Sequence, residues 1–237
     1  MKKLLALLLL PAFLPATGQS LDSAQTKFSM TPDTAGNLAN STGVNASGVF
    51  NGRVFYGYLA TPESAFYPGQ IWQTGSVQYE DAWYHDVPIM YDAFKDEVLV
   101  RHPTLIPVKL VSERVAQFSL GDKKFIRVDG KQAGMPATGF YELLVDGTMR
   151  ILVQHQKKME ETFANMSVER NFVLHNSYYA IKDGKSYLVK KQGILLDLLG
   201  NERQEISRVL RQQDLKFKSN REETIVQIAR LYNQAHR

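Results

Sequence analysis

The side chains that most often carry out chemistry in proteins are sparse in this chain and are not grouped along it. Cysteine is absent, which excludes thiolate metal sites, a cysteine nucleophile and disulfides. The 5 histidines are never spaced as His-x-His or His-x-x-x-His, so no single element presents a metal-binding pair. Serine motifs of the Gly-x-Ser-x-Gly and Ser-x-x-Lys types are missing from the β-rich part of the chain. We therefore expect no enzyme activity, no metal and no cofactor.

Carboxylates are the exception, because six of them fall between Glu80 and Glu97. Paired carboxylates can hydrolyse glycosidic bonds. One alternative hypothesis is therefore a hydrolase of envelope glycans or peptides, with Asp86, Asp92 and Asp96 among its acids. Residues 91–97 also fit a surface turn in which Asp side chains accept hydrogen bonds from backbone N–H groups. We favour the turn.

Ten aromatic residues lie between Phe55 and Tyr91, and several of them are adjacent in the sequence. Aromatic side chains at alternating strand positions normally pack in a core. Adjacent rings, however, point to opposite faces of a strand. The pairs Phe66-Tyr67 and Trp83-Tyr84 are therefore candidate partner-binding residues, since exposed aromatic rings favour contact with proteins or carbohydrates.

Basic charge is concentrated at the C-terminal end. From Lys190 onward there are ten Lys and Arg against six Asp and Glu, an excess that equals the net charge of +4 of the whole chain. Arg208 and Arg211 are the candidate contacts in this segment. They would bind an acidic partner or anionic lipid headgroups at a membrane surface, and the alternative is an ordinary solvated helix face. Nucleic acid is not expected as a partner of an exported protein.

The N-terminal part has the organisation of an exported protein. Residues 1–18 have a charged start, an apolar run and small residues at the end, as a cleavable signal peptide does. Residues 19–51 are polar and predict a flexible leader. Ser23 and Thr34 lie in Asp-Ser-Ala and Asp-Thr-Ala triplets, which resemble the O-glycosylation sites of exported Bacteroidota proteins. We expect a location in the periplasm or at the outer membrane.

Residues 52–190 predict an antiparallel β domain of about a dozen short strands. Apolar residues recur with period two, and Asp-Gly pairs at Asp146-Gly147 and Asp183-Gly184 predict hairpin turns of type I′. Gly75 predicts a β-bulge. The pattern leaves a sandwich, an open barrel and a strongly curved single sheet as alternatives.

Residues 191–237 predict a helical pair packed on this β domain. Ile206, Val209 and Leu210 would share one helix face, and a second apolar stripe runs from Ile225 to Tyr232.

Several segments of the chain resemble a family of exported Bacteroidota envelope proteins. The resemblance rests on residues 75–79, 84–92, 96–100 and 139–147, and on the ending 221–232. These motifs are structural, being strands, Asp-Gly turns and the terminal helix. The resemblance implies a location in the envelope of a diderm bacterium and carries no activity or site residue.

Together these features predict a non-enzymatic envelope protein, an accessory subunit or binding module that associates with an outer-membrane or periplasmic protein complex. Besides the hydrolase, a second alternative is a periplasmic carrier of an apolar ligand. A carrier requires an apolar cavity of roughly 300 Å³ or more inside the sheet.

Overall fold

The computed structural model of the chain describes residues 46–58, 64–164 and 167–236. The expected signal peptide, residues 19–45 of the expected leader, and the glycosylation candidates Ser23 and Thr34 lie outside these residues. The end of the expected leader is described. Ala46–Phe50 forms a 3-10 helix, and Val49 is only 1% exposed because it packs in the core of the β domain.

The described chain is mainly β, as the sequence predicts, and its strands form one antiparallel sheet. In chain order the strands are β1 (Arg53–Val54), β2 (Phe66–Tyr67), β3 (Gln73–Tyr79), β4 (Ala82–Asp92), β5 (Glu97–Arg101), β6 (Pro107–Lys109), β7 (Val115–Leu120), β8 (Lys123–Val128), β9 (Gly139–Val145), β10 (Met149–Ala164), β11 (Ser167–Lys182) and β12 (Lys185–Leu188). Their spatial order is β1-β6-β5-β4-β3-β7-β8-β9-β10-β11-β12, and β2 also pairs with β4. The 12-stranded sheet is not closed.

The helices are α1 (Gly130–Ala133), α2 (Gln192–Asp197), α3 (Arg203–Gln212) and α4 (Arg221–Ala235), with 3-10 turns at Ser112–Arg114 and Gly200–Glu202. The expected C-terminal helical pair corresponds to α3 and α4, and α2 adds a short third helix before them. The apolar stripe of α4 is buried as predicted, since Ile225, Ile228, Ala229 and Tyr232 are each at most 4% exposed.

Among the described residues the sheet carries two large apolar cores and a smaller cluster formed by Phe66, Met90 and Leu99. The first lies on strands β2 to β9 and is filled by aromatic rings, among them Tyr91, Phe118 and Phe125. Phe118 and Phe125 stack with centroids 4.7 Å apart and planes 2° apart. The second core packs α2, α3 and α4 against β9, β10 and β11. Each fully buried aliphatic side chain of this kind stabilises the fold by about 1.5–3 kcal/mol.

The turns follow local backbone chemistry, with one exception. Asp183 and Gly184 both have positive φ, 50° and 71°, as a two-residue type I′ turn requires. At the other Asp-Gly pair the turn is not of this type, because only Gly147 has positive φ, at 143°. Instead the Asn233 side chain of α4 holds this turn. Its Oδ1 accepts the Met149 N–H at 2.7 Å, and its Nδ2 donates to the Met149 carbonyl at 2.9 Å.

The predicted bulge is present, since the pairing of β3 with β4 shifts register between Gly75 and Val77. Gly75 lies so close to the neighbouring strand that a Cβ there would overlap the carbonyl oxygen of Ser119. A glycine is therefore required at this position for steric reasons.

Candidate functional site

The four aromatic candidates divide into two kinds. Phe66 and Tyr67 are only 3% and 9% exposed, because β2 places both rings in apolar clusters on the two sides of the sheet. The expectation that one ring of each adjacent pair faces solvent is wrong here, and neither residue presents a ring to a partner. Trp83 is 42% exposed and stacks on His85, whereas Tyr84 is half-buried against the first core.

The two arginine candidates lie on the exposed side of α3. Arg208 and Arg211 are separated by three positions, so their side chains are neighbours on the helix surface. Neither guanidinium forms an ion pair or hydrogen bond within the part of the chain that the structure describes. Their roles as partner contacts remain a prediction.

Asp92 and Asp96 hold the turn after β4 in place through the hydrogen bonds that they accept. Asp92 is completely buried and accepts the N–H groups of Phe94 and Lys95, both at 3.0 Å, and the hydroxyl of Tyr58. Asp96 accepts the Tyr91 hydroxyl at 2.7 Å and the Phe140 N–H at 3.2 Å. Burial raises the pKa of both carboxyl groups, and the hydrogen bonds that they accept partly oppose that shift.

Asp86, the third acid of the hydrolase hypothesis, is an exposed strand residue with φ of 55°. The favoured interpretation of residues 91–97 as a hydrogen-bonded turn describes Asp92 well. The Asp92 and Asp96 carboxylates accept hydrogen bonds from backbone N–H groups and from tyrosine hydroxyls.

A buried polar cluster lies between the two cores and was missed by the sequence analysis. The Glu142 carboxylate accepts a hydrogen bond from Nε2 of His155 at 2.7 Å and from Nζ of Lys123 at 2.8 Å. Nδ1 of His155 lies 2.8 Å from the side-chain amide of Asn176. The four residues come from β8, β9, β10 and β11, so only strand pairing brings them together.

Hydrogen bonds within this cluster offset the effect of burial on the charge of Glu142. Burial raises the pKa of Glu142, but the hydrogen bonds from His155 and Lys123 outweigh it, so the net effect is to lower this pKa. Tyr67 covers the cluster by stacking on His155. Glu142 and Lys123 border an open surface depression whose other wall includes Glu222 and Arg230 of α4. The arrangement neutralises a buried carboxylate and fixes the position of β10 relative to β8 and β9.

Among residues 46–58, 64–164 and 167–236 there is no group of three or more His, Asp or Glu side chains that could hold a metal ion. No helix in the same described ranges is long and apolar enough to cross a membrane.

β10 and β11 continue past the ends of their neighbouring strands as a two-stranded arm, residues 154–164 and 167–178. β10 and β11 pair along their full length, from Met149 opposite Lys182 to Ala164 opposite Ser167. Pairing of β9 with β10 ends at Val153, and pairing of β12 with β11 is confined to residues 179–182. In the sheet ladder the arm strands therefore pair only with each other. At the usual rise per residue the arm is about 35 Å long.

One face of the arm is apolar. Residues opposite each other on paired strands share a face, and the pairs on this face are, from the base outward, His155–Asn176, Lys157–Leu174, Met159–Phe172, Glu161–Arg170 and Phe163–Val168. We call the exposed apolar side chains here the apolar arm face; they are Met159, Phe163, Val168 and Leu174, with exposures of 43%, 84%, 46% and 38%. The opposite face carries Lys158, Glu160, Thr162 and Val173.

The base of the arm is anchored to the body of the domain. Phe172 is only 3% exposed and contacts the rings of Phe94 and Tyr58, with centroids 5.1 and 5.8 Å away. The N–H of Lys157 donates to the carbonyl of Ala93 at 3.0 Å. Beyond this anchor, Phe163 and Val168 are 84% and 46% exposed and have no covering layer in the described chain.

No protein-family model, no curated protein and no solved structure matches this chain. The fold and the sites described above therefore rest on the chain's own geometry.

Proposed function

We propose that this protein is a non-enzymatic binding module, an accessory subunit that docks its arm onto an outer-membrane or periplasmic protein complex. The single observation that carries the proposal is the apolar arm face. Four large apolar side chains on one face of the ribbon stay exposed, although the domain covers the base of that face around Phe172. Exposed apolar side chains grouped on one face in this way are characteristic of interaction sites in soluble proteins.

The form of the arm supports a docking role. An isolated two-stranded ribbon is marginally stable in water, and both of its outer edges carry N–H and C=O groups that the sheet ladder leaves free. A partner that covers the apolar face or adds a strand to one edge would satisfy both features. The anchored base at Phe172 presents the arm in a fixed direction, which lowers the entropy lost on binding.

Charge favours a protein partner over a lipid surface. The arm carries three basic residues (Lys157, Lys158 and Arg170) and three acidic ones (Glu160, Glu161 and Glu169), so it has no polybasic character. Anionic membranes attract basic segments. Glu161 and Arg170 form an ion pair of 2.8 Å between the two apolar pairs of the same face. Such a polar contact within an apolar face selects the register of a complementary protein surface.

The two alternatives have less support. Two acids of the hydrolase hypothesis already accept hydrogen bonds within the fold: Asp92 from the Phe94 N–H and Asp96 from the Tyr91 hydroxyl. The carrier hypothesis needs an apolar cavity inside the sheet, but stacked rings such as Phe118 and Phe125 fill the first core. The envelope location follows from the expected signal peptide and from the family resemblance, and it is part of the proposal.

Retention of a partner in crosslinked cells tests the proposal. Val168→Ser removes an apolar side chain from the apolar arm face, and Val173→Ser removes the same side chain from the opposite face of the same strand. We expect Val168→Ser, combined with Phe163→Ser, to reduce the co-purified envelope protein at least about tenfold, whereas Val173→Ser retains it. Equal retention by both variants would contradict docking through this face.

A further inference from the structure

A second surface, distant in sequence from the arm, has the features of a built binding groove. It is an open depression of about 540 Å³ between α2, α3 and the segment after α3. This volume is in the range of pockets that bind small ligands. The groove is separate from the arm, so its occupant is a further question beyond the proposed function.

The floor of the groove is apolar and preformed. Leu210 belongs to the second core and is only 2% exposed, and Leu196, Leu215 and Phe217 pack against the same core. The Leu215 N–H donates to the Leu210 carbonyl at 3.0 Å, which fixes the chain as it leaves α3. The Arg221 guanidinium lies 5.3 Å from the centroid of the Phe217 ring and holds that ring against α4.

The rim of the groove is basic, with three cations at its edge: Arg211, Lys216 and Lys218. Lys216 pairs with Asp214 at 2.9 Å. Arg211 and Lys218 are exposed, and within residues 46–58, 64–164 and 167–236 neither side chain has a counter-ion. Arg208, one turn before Arg211, lines an adjoining depression and also lacks an ion pair there. These cations repel each other, and an anionic ligand would relieve that repulsion.

From this combination we infer that the groove binds an acidic peptide segment of a partner protein. A large apolar side chain of the peptide occupies the floor over Leu210, Leu215 and Phe217, and flanking carboxylates pair with Arg211 and Lys218. Ser207, which also lines the groove, provides a hydroxyl group for the peptide backbone.

A peptide fits this surface better than a membrane does. Every large apolar side chain found exposed in the described chain lies at or before Leu188, so none projects from α2, α3 or α4. A segment that lies in a membrane interface needs such side chains to insert among the lipids. Here the apolar groups form a floor below a charged rim, which suits a side chain that enters from a peptide.

Fluorescence anisotropy of the full chain with labelled octapeptides tests the inference. One pool carries Asp or Glu at alternate positions with Leu or Phe between them, and the matched pool has Lys in place of the acids. We expect the acidic pool to bind and the basic pool not to bind. Raising the salt concentration should weaken binding steeply, because the contacts at the rim are exposed.

Two charge-reversal variants locate the site. Arg211→Glu combined with Lys218→Glu should weaken binding of the acidic pool at least about tenfold. Arg230→Glu is the matched control, because Arg230 is an exposed cation of α4 that borders a different depression; it should stay within about twofold. All of these side chains are exposed, so the variants should keep the circular dichroism spectrum of the parent.

Three results would overturn the inference. The first is that the acidic pool does not bind the parent protein. The second is that it binds the double variant, Arg211→Glu with Lys218→Glu, as well as it binds Arg230→Glu. The third is that the double variant loses binding to phosphatidylglycerol vesicles while the acidic pool does not bind the parent. The last result would assign the basic rim to a lipid surface. None of these measurements involves the arm, so failure here is distinguishable from failure of arm docking.

Discussion

Tyr67 lies face to face on the imidazole of His155, with ring centroids 3.8 Å apart and planes 16° apart. The contact joins β2, a strand of two residues, to β10, the strand that continues into the arm. His155 in turn hydrogen-bonds Glu142 of β9. Tyr67 and His155 therefore connect the first core to the base of the arm, and the following predictions start from this junction.

Removing the Tyr67 ring should destabilise the whole domain. Tyr67→Ala deletes a buried ring that contacts both His155 and Phe125, and large-to-small changes of this kind cost about 3–5 kcal/mol. Tyr67→Phe keeps the ring and should cost about 1 kcal/mol or less. Urea unfolding followed by circular dichroism measures both. Similar losses for the two variants would mean that the stacked ring contributes little.

Glu142 should make the stability depend on pH in the acidic range. Its pKa is lowered in the folded chain because the hydrogen bonds from His155 and Lys123 outweigh the opposite effect of burial. A lowered pKa stabilises the fold above the unfolded-state pKa, and this contribution is lost as pH falls through the folded-state value. Glu142→Gln should therefore reduce stability at neutral pH and flatten its decline on acidification.

The measurement for Glu142 is the free energy of unfolding between pH 7 and pH 3 for the parent and Glu142→Gln. The difference between the two should shrink as the pH falls. Asp92 and Asp96, whose pKa values burial raises, titrate in both chains and so cancel in that difference. A difference that stays constant over this range would show that Glu142 is not stabilised in its charged form.

Substitutions at Asp96 and at Gly139 should both destabilise the fold, because both disturb the Asp96 carboxylate and its hydrogen bonds. Asp96→Ala leaves the Tyr91 hydroxyl and the Phe140 N–H without their acceptor, at a cost of about 1–3 kcal/mol for each buried group. Gly139→Ala should cost a similar amount, because a Cβ there would overlap the Asp96 carboxylate. Thermal unfolding of both single variants and of the double variant measures this. Losses that add fully in the double variant would contradict a shared contact.

Shortening the arm should leave the domain folded. Replacing residues 160–171 with an Asn-Gly turn keeps the Met159–Phe172 pair and the packing of Phe172 on Phe94. Because the removed residues lie beyond the anchored base, we expect the melting temperature to change by only a few degrees. Differential scanning calorimetry measures the melting temperature of the shortened variant. If this variant no longer unfolds cooperatively, the arm is needed for the stability of the fold.

The turns and the helical end of the fold could be predicted from local sequence. Asp183-Gly184 sets its own backbone conformation, and Gly75 marks a bulge because no larger residue fits beside Ser119. The turn at Gly147 could not be predicted in detail, since it depends on Asn233, which lies far away in the chain. Local signals are therefore reliable where the cause is local.

The arm and the polar cluster depend on pairing over a distance. β10 and β11 are each 16 residues long, whereas short strands were expected, because the charged residues from Lys157 to Glu161 interrupt the apolar pattern. Similarly, Glu142, His155 and Lys123 follow no sequence motif. They come together only because the pairing register of β8, β9 and β10 places them side by side. The burial of Phe66 and Tyr67 has the same origin, since β2 is covered on both faces.

Site-specific photocrosslinking on the arm tests the central claim most directly. A benzophenone amino acid in place of Phe163 would lie on the apolar arm face, and the same group in place of Thr162 would lie on the opposite face. Docking through the apolar arm face predicts that irradiated cells yield one envelope protein crosslinked at position 163, and far less of it at position 162. No crosslinked protein at position 163, or equal yields from both positions, would contradict the claim.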